Sequence, residues 1–194
     1  MSDSFSGRNL WGSLLLAVAL LMHWVKMASP GLSLLPNFSP WLGLCFAGVA
    51  LLGGHMPWWL APLLLLVTQV ASLGLGVALA GQGILMLVFH CLCAGLGRCL
   101  RGAVTPFRAV VHTAGLSLLY YVLSNTLAWW QNPSYAQDLT GLIQAQTTGL
   151  PGFPPAWMFL RNALLGDVFF ASLIALACSA DLSAAKARTR AESI

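Results

Sequence analysis

Three residues near the C-terminal end could do chemistry in a place where polar groups are rare. Arg161, Asn162 and Asp167 lie inside an otherwise apolar run, AWMFLRNALLGDVFF. Ionisable groups in a lipid-spanning helix are costly, so by default they mark a site. Counted from Ala156 at 1.5 Å per residue, Asp167 lies roughly 17 Å along its helix, near mid-bilayer. Insertion scales put the cost of an aspartate there at about 2.5–3.5 kcal/mol. Two readings of Asp167 are open: a solute, ion or proton site facing a bundle interior, or a hydrogen-bonded residue that pins helix packing. Arg161 lies only about 7–8 Å along, within snorkelling reach of the interface. It either binds an anionic or carbonyl-bearing ligand or simply snorkels. Six residues turn a helix by about 240° net, so Arg161 and Asp167 do not share a face.

Other reactive residue types form no familiar constellation. His90-Cys91-x-Cys93 lacks the paired spacing of a zinc site. On a helix its three members point about 100° and 300° apart, so they do not converge unaided. His23, His90 and His112 offer no paired haem ligation. No Ser-His-Asp spacing, phosphate loop, nucleotide fingerprint or His-Glu-x-x-His motif occurs. The expectation is a protein that is not an enzyme and holds no cofactor or metal. Thr68, Gln69 and His90 reach similar depths to Asp167 and Asn125 lies toward the outer end; all four are expected either to line a cavity with it or to bond neighbouring helices.

The elements that carry these residues are membrane spans. Of 194 residues, 58% are hydrophobic and only 7% charged, against roughly 25% charged in a typical soluble domain. Runs of about 20 apolar residues suit spanning helices. The expectation is an all-α, polytopic membrane protein: one transmembrane domain, 1–194, built as a six-helix bundle. The spans fall at about 10–27, 41–54, 58–80, 84–98, 107–130 and 156–180. The second is short; Trp41 to Leu52 covers about 18 Å, which fits a tilted, buried or re-entrant segment. Pro62 falls in the first turns of the third, where proline is tolerated. Residues 28–40 and 131–155 read as long polar loops. The N-terminal run continues without a small-x-small cleavage site, so it reads as a retained first span rather than a signal peptide.

Charge sets the orientation. With both termini cytoplasmic, the inside holds Arg8, then Arg98, Arg101 and Arg108, then Lys186, Arg188 and Arg190. The outside holds Lys26, with Arg161 just within the last span. That split obeys the positive-inside rule, and places both long loops on the outer face. Tryptophans near the span ends form an interfacial belt. The net charge of +4 is spent on these topology signals and does not suggest a nucleic-acid partner. Five cysteines, all in or beside apolar runs, give no disulfide framework.

Two stretches resemble a known group. Pro36-Asn37-Phe38-Ser39-Pro40 with GLCFAGVALLGG is the first. LLYYVLSNTLAWW, Tyr135, Gly141-Leu142, the proline-rich turn and RNALLGDVFF form the second. In order and spacing they resemble a family of uncharacterised bacterial integral membrane proteins. That family is similar to the substrate-binding S components of energy-coupling factor vitamin transporters. The resemblance implies a six-helix bundle in the inner membrane with a solute pocket near its outer face, capped by loops. Asn37, Asn125, Trp129, Trp130, Tyr135, Arg161, Asn162 and Asp167 would then line or cap the pocket. Aromatics would stack on a flat solute such as a vitamin while Arg161 and the amides orient its polar groups. There are departures: Thr68-Gln69 stands where relatives carry Ser-Asp. The first span offers only Ser13-x-x-x-Ala17 where S components carry an Ala-x-x-x-Ala patch for docking an energy-coupling module. Partners expected are the lipid bilayer, a small solute, and an energy-coupling module or other membrane subunits. The alternative expectation is a structural or accessory subunit of a membrane complex with no transport activity of its own.

Overall fold

The computed structural model describes residues 14–18, 20–22, 37–53 and 56–192, with side chains through residue 179. Among these residues all regular structure is helical. The helical residues of 14–22 are α1. Then follow α2 (Trp41–Leu51), α3 (Leu60–Leu73), α4 (Leu75–Ala78), α5 (Gly81–Cys99), α6 (Pro106–Gln131), α7 (Leu139–Gln146) and α8 (Ala156–Glu192). Two of them, α5 and the Ala156–Ser179 part of α8, are long and apolar enough to cross a membrane.

The expected bounds 84–98 and 107–130 fall within three residues of α5 and α6. Elsewhere the chain differs from expectation in four places. The expected helix 58–80 is broken at Gly74, whose φ of +81° ends α3 and starts α4; glycine adopts that conformation without steric penalty. The expected loop 131–155 contains α7, whose first turn is capped by the Asp138 side chain accepting from Gly141 N–H at 2.9 Å. The last helix runs on past 180 to Glu192. The second span, expected over 41–54, ends at Leu51. Of the expected first span 10–27, residues 14–18 and 20–22 are described and are helical; the rest of it and most of loop 28–40 lie outside the described residues.

The core is built around α2. Its residues are apolar on every side, so no face of it suits solvent, and a helix of that kind belongs inside. Every residue from Trp41 to Ala50 is buried. At 11 residues and 1.5 Å each it is about 16 Å long, half of a ~30 Å hydrocarbon core. One wider π-helical turn, Leu44–Gly48, interrupts it. Here α5 comes in closely: a Cβ on Gly97 would lie 2.7 Å from the Phe46 carbonyl oxygen, so only glycine fits.

The direction of α2 follows from its neighbours. Gly43 lies against Asp167, Phe170 and Ala171 of α8, while the Cys178 thiol, further along α8, reaches the Leu51 carbonyl at 3.6 Å. The two helices therefore run parallel. α6 runs the other way, with the His112 ring 5.9 Å from Phe46 and Ser117 beside Asp167. α5 and α6 are antiparallel, with Gln82 Nε2 donating to the Ser124 carbonyl at 3.0 Å. One end of the bundle thus carries Arg98, Arg101 and Arg108, and the other carries residues 132–155.

Candidate functional site: the mid-bundle Asp167 lock and the loop end

A helix that starts inside a bundle exposes backbone N–H groups that no water can satisfy. In α2 the residue before the first turn is Pro40, which provides no side-chain cap. Leu44 N–H finds the Pro40 carbonyl at 2.9 Å, leaving earlier amides without a partner in their own helix. The Asp167 carboxylate supplies one from α8, accepting from the backbone N–H groups of Leu42 and Gly43. A carboxylate there also complements the positive end of the helix dipole. The buried Ser117 hydroxyl of α6 faces the same carboxyl without reaching full hydrogen-bond geometry.

Close packing makes this capping possible. A Cβ on Gly166 would lie 2.8 Å from both the N and O atoms of Ser39, and one on Gly43 would lie 3.2 Å from the Asp167 carbonyl oxygen. The glycines let residues 38–43 and α8 touch backbone to backbone. Phe38 completes the contact, its ring 6.4 Å from Phe169 and 6.2 Å from Phe170. The far end of α2 is held by a cation. Arg101 donates to the Val49 carbonyl from Nε at 3.3 Å and from Nη2 at 3.2 Å, where a cation suits the negative end of the dipole. α2 is thus held by the Asp167 carboxyl group at its start and by a cation at its end.

The eight residues expected at the site fall into three groups. Asn162 and Asp167 are buried in α8, at 0% and 5% exposure. Arg161 is exposed beside them, its Nε donating to Asn162 Oδ1 at 3.1 Å and its guanidinium carbon 5.7 Å from the Trp157 ring centre. Asn37 is exposed, with a left-handed φ of +66°; asparagine is among the few non-glycine residues that enter that region readily. Asn125, Trp129, Trp130 and Tyr135 lie at the loop end. There Asn125 Nδ2 bonds back to the Tyr121 carbonyl at 2.9 Å. Trp129 Nε1 donates to the Ala136 carbonyl at 2.7 Å, and Gln137 Nε2 donates to the carbonyls of Trp129 at 3.0 Å and Tyr135 at 3.2 Å. Trp130 is exposed.

These contacts fasten the loop along α6. The Tyr121 hydroxyl donates to the Gln146 carbonyl at 2.5 Å, and Gln146 Nε2 donates to the Val122 carbonyl and Thr126 Oγ1, both at 3.1 Å. Trp157 N–H reaches the Thr147 carbonyl at 3.1 Å, tying the loop to the start of α8.

A family model described as a family of unknown function (DUF6580) matches residues 5–188. The chain belongs to that family. No curated protein and no solved structure matches it.

In this DUF6580 member, the other polar residues singled out in the sequence are placed as follows. Gln69 and His90 are buried. Gln69 Nε2 lies 3.7 Å from the Met86 sulfur and its Oε1 has no partner among the described residues. His90 Nδ1 is 2.7 Å from the Met86 carbonyl, and its ring packs edge-on to Tyr120 at 5.6 Å. Thr68 bonds back to Leu65 within its own helix at 2.9 Å. The partners of Asp167 were not singled out in the sequence: Leu42, Gly43 and Ser117 face its carboxyl and Gly166 makes room for the contact, while Arg101, read in the sequence as an orienting charge, holds the far end of α2. One sequence signal points to them. An apolar helix that follows Pro40, with no Ser, Thr, Asn or Asp at its cap, must take its cap from a distant residue.

Proposed function

We propose that this chain is a multi-pass protein of the bacterial inner membrane, with six helical crossings and both termini cytoplasmic. In this reading it binds a small-molecule solute near the outer face and moves it without changing it chemically. It would be similar in kind to the S components of energy-coupling factor vitamin transporters. The observation that supports the reading best is the half-length helix α2, whose start lies inside the bundle against an aspartate. Discontinuous helices with an end at depth are the elements from which many membrane carriers build their binding sites. Asp167 closes the inner side of the region as the lock of α2. Asn37, Asn162 and the loop-end residues Asn125, Trp129, Trp130 and Tyr135 surround the solute on the outer side, with Arg161 at the edge. The loop strapped to α6 serves as the lid.

The test is extraction of the purified protein in mild detergent, followed by mass spectrometry of retained small molecules. One compound enriched over a mock purification is expected, falling about tenfold in Asn37→Ala or Tyr135→Phe, the effect of ~1.4 kcal/mol. A wild-type extract identical to the mock, with other membrane subunits in fixed stoichiometry, would reverse the conclusion in favour of an accessory subunit.

A further inference from the structure

On the outside of α8 a groove of about 440 Å³ is lined by Leu164, Leu165, Val168 and Phe169, with Arg161 at one end. Eight residues separate Arg161 from Phe169, so the groove runs about 12 Å along the helix. One leaflet of a ~30 Å hydrocarbon core is about 15 Å deep. The groove therefore matches one leaflet, with its cation on the side where the headgroups lie. Arg161 is the only Lys or Arg between Arg108 and Lys186, and its setting is built rather than incidental. Asn162, fully buried, engages Nε and fixes the plane of the guanidinium, and the Trp157 ring lies against it. Among the described residues that leaves the Nη edge, and an arginine edge suits bidentate pairing with phosphate.

The geometry points to a binding site for an anionic phospholipid, with its phosphate on the Arg161 Nη edge and an acyl chain along Leu164, Leu165, Val168 and Phe169. Charge complementarity at the groove's end selects the anionic headgroup; the apolar lining alone would take any lipid. The site rests on the membrane placement proposed above and shares Arg161 with the edge of the solute region, but its apolar groove goes beyond the solute reading. A retained solute without lipid preference overturns the groove alone, and lipid preference without a retained solute overturns the carrier alone.

The test is native mass spectrometry of the full chain released from nanodiscs holding equal phosphatidylglycerol and phosphatidylcholine. Wild type is expected to keep phosphatidylglycerol about fivefold over phosphatidylcholine, the effect of ~1 kcal/mol per near-surface cation. Arg161→Gln should remove the preference, and Arg161→Lys should retain part of it, because the charge survives but the fork does not. Val168→Trp, which fills the groove and leaves Arg161 in place, should lower retention of both lipids and covers the case of a poorly folded Gln variant. Wild type holding the two lipids in the ratio supplied, a folded Arg161→Gln with its preference intact, or Val168→Trp with unchanged retention would each overturn the assignment.

Discussion

At the scale of single residues, Asp167 carries the most consequence. Its carboxylate answers two backbone donors that would otherwise be stranded in the interior, and a stranded buried donor costs about 1–3 kcal/mol. Asp167→Ala should therefore lower stability by about 1–3 kcal/mol for each amide left unpaired. Asp167→Asn should cost less, because its carbonyl oxygen still accepts. Thermal unfolding in a fixed detergent would rank the two, and equal stability of all three proteins would remove the cap from the account. Gly166 gives an independent handle on the same contact. Its absent Cβ leaves room for the Ser39 backbone, 2.8 Å from where that atom would sit. Gly166→Ala should destabilise by about 1–3 kcal/mol, as overpacking typically does, and a wild-type melting profile would contradict that. Of the two readings of Asp167, the packing one is what these stability measurements address, since its contacts are backbone groups of α2.

Between elements, α2 and the 132–155 loop teach different lessons. α2 is held by a carboxyl group at one end and a guanidinium at the other, so weakening the distal contact is a separate experiment. Arg101→Ala should cost about 0.3–1 kcal/mol, the value of a cation at a helix C-terminus, measured in the same unfolding assay. The loop hangs on side chains of α6. Tyr121→Phe removes the hydroxyl bonded to Gln146 and should cost about 0.5–1.5 kcal/mol. Limited proteolysis should then cut sooner within residues 147–155; unchanged cutting would mean that this bond does not secure the loop. The long apolar helices α5, α6 and α8 were legible because length and hydropathy specify them locally. α7 was not, because it has only eight residues and its sequence, LTGLIQAQ, mixes polar and apolar types. Its one local signal was Asp138, an N-cap residue in the right place.

On the scale of the whole molecule, the chain is a set of helices packed around one short buried helix, with basic residues at one end and a strapped loop at the other. What the sequence disclosed was the material: apolar helices, a mid-helix aspartate, and a short second run that could be buried or re-entrant. What it withheld was the pairing of Asp167 with Leu42 and Gly43. That pairing joins two points far apart in the chain, and its acceptor meets backbone rather than a recognisable side-chain motif. The most direct test is hydrogen–deuterium exchange of the full chain in lipid nanodiscs, read over residues 41–51. Wild type should exchange slowly throughout this segment, including Leu42 and Gly43, and Asp167→Ala should speed exchange first at those two amides. Fast exchange at residues 42 and 43 in the wild type, or no change in the variant, would contradict a helix that begins inside the bundle and is locked there by Asp167.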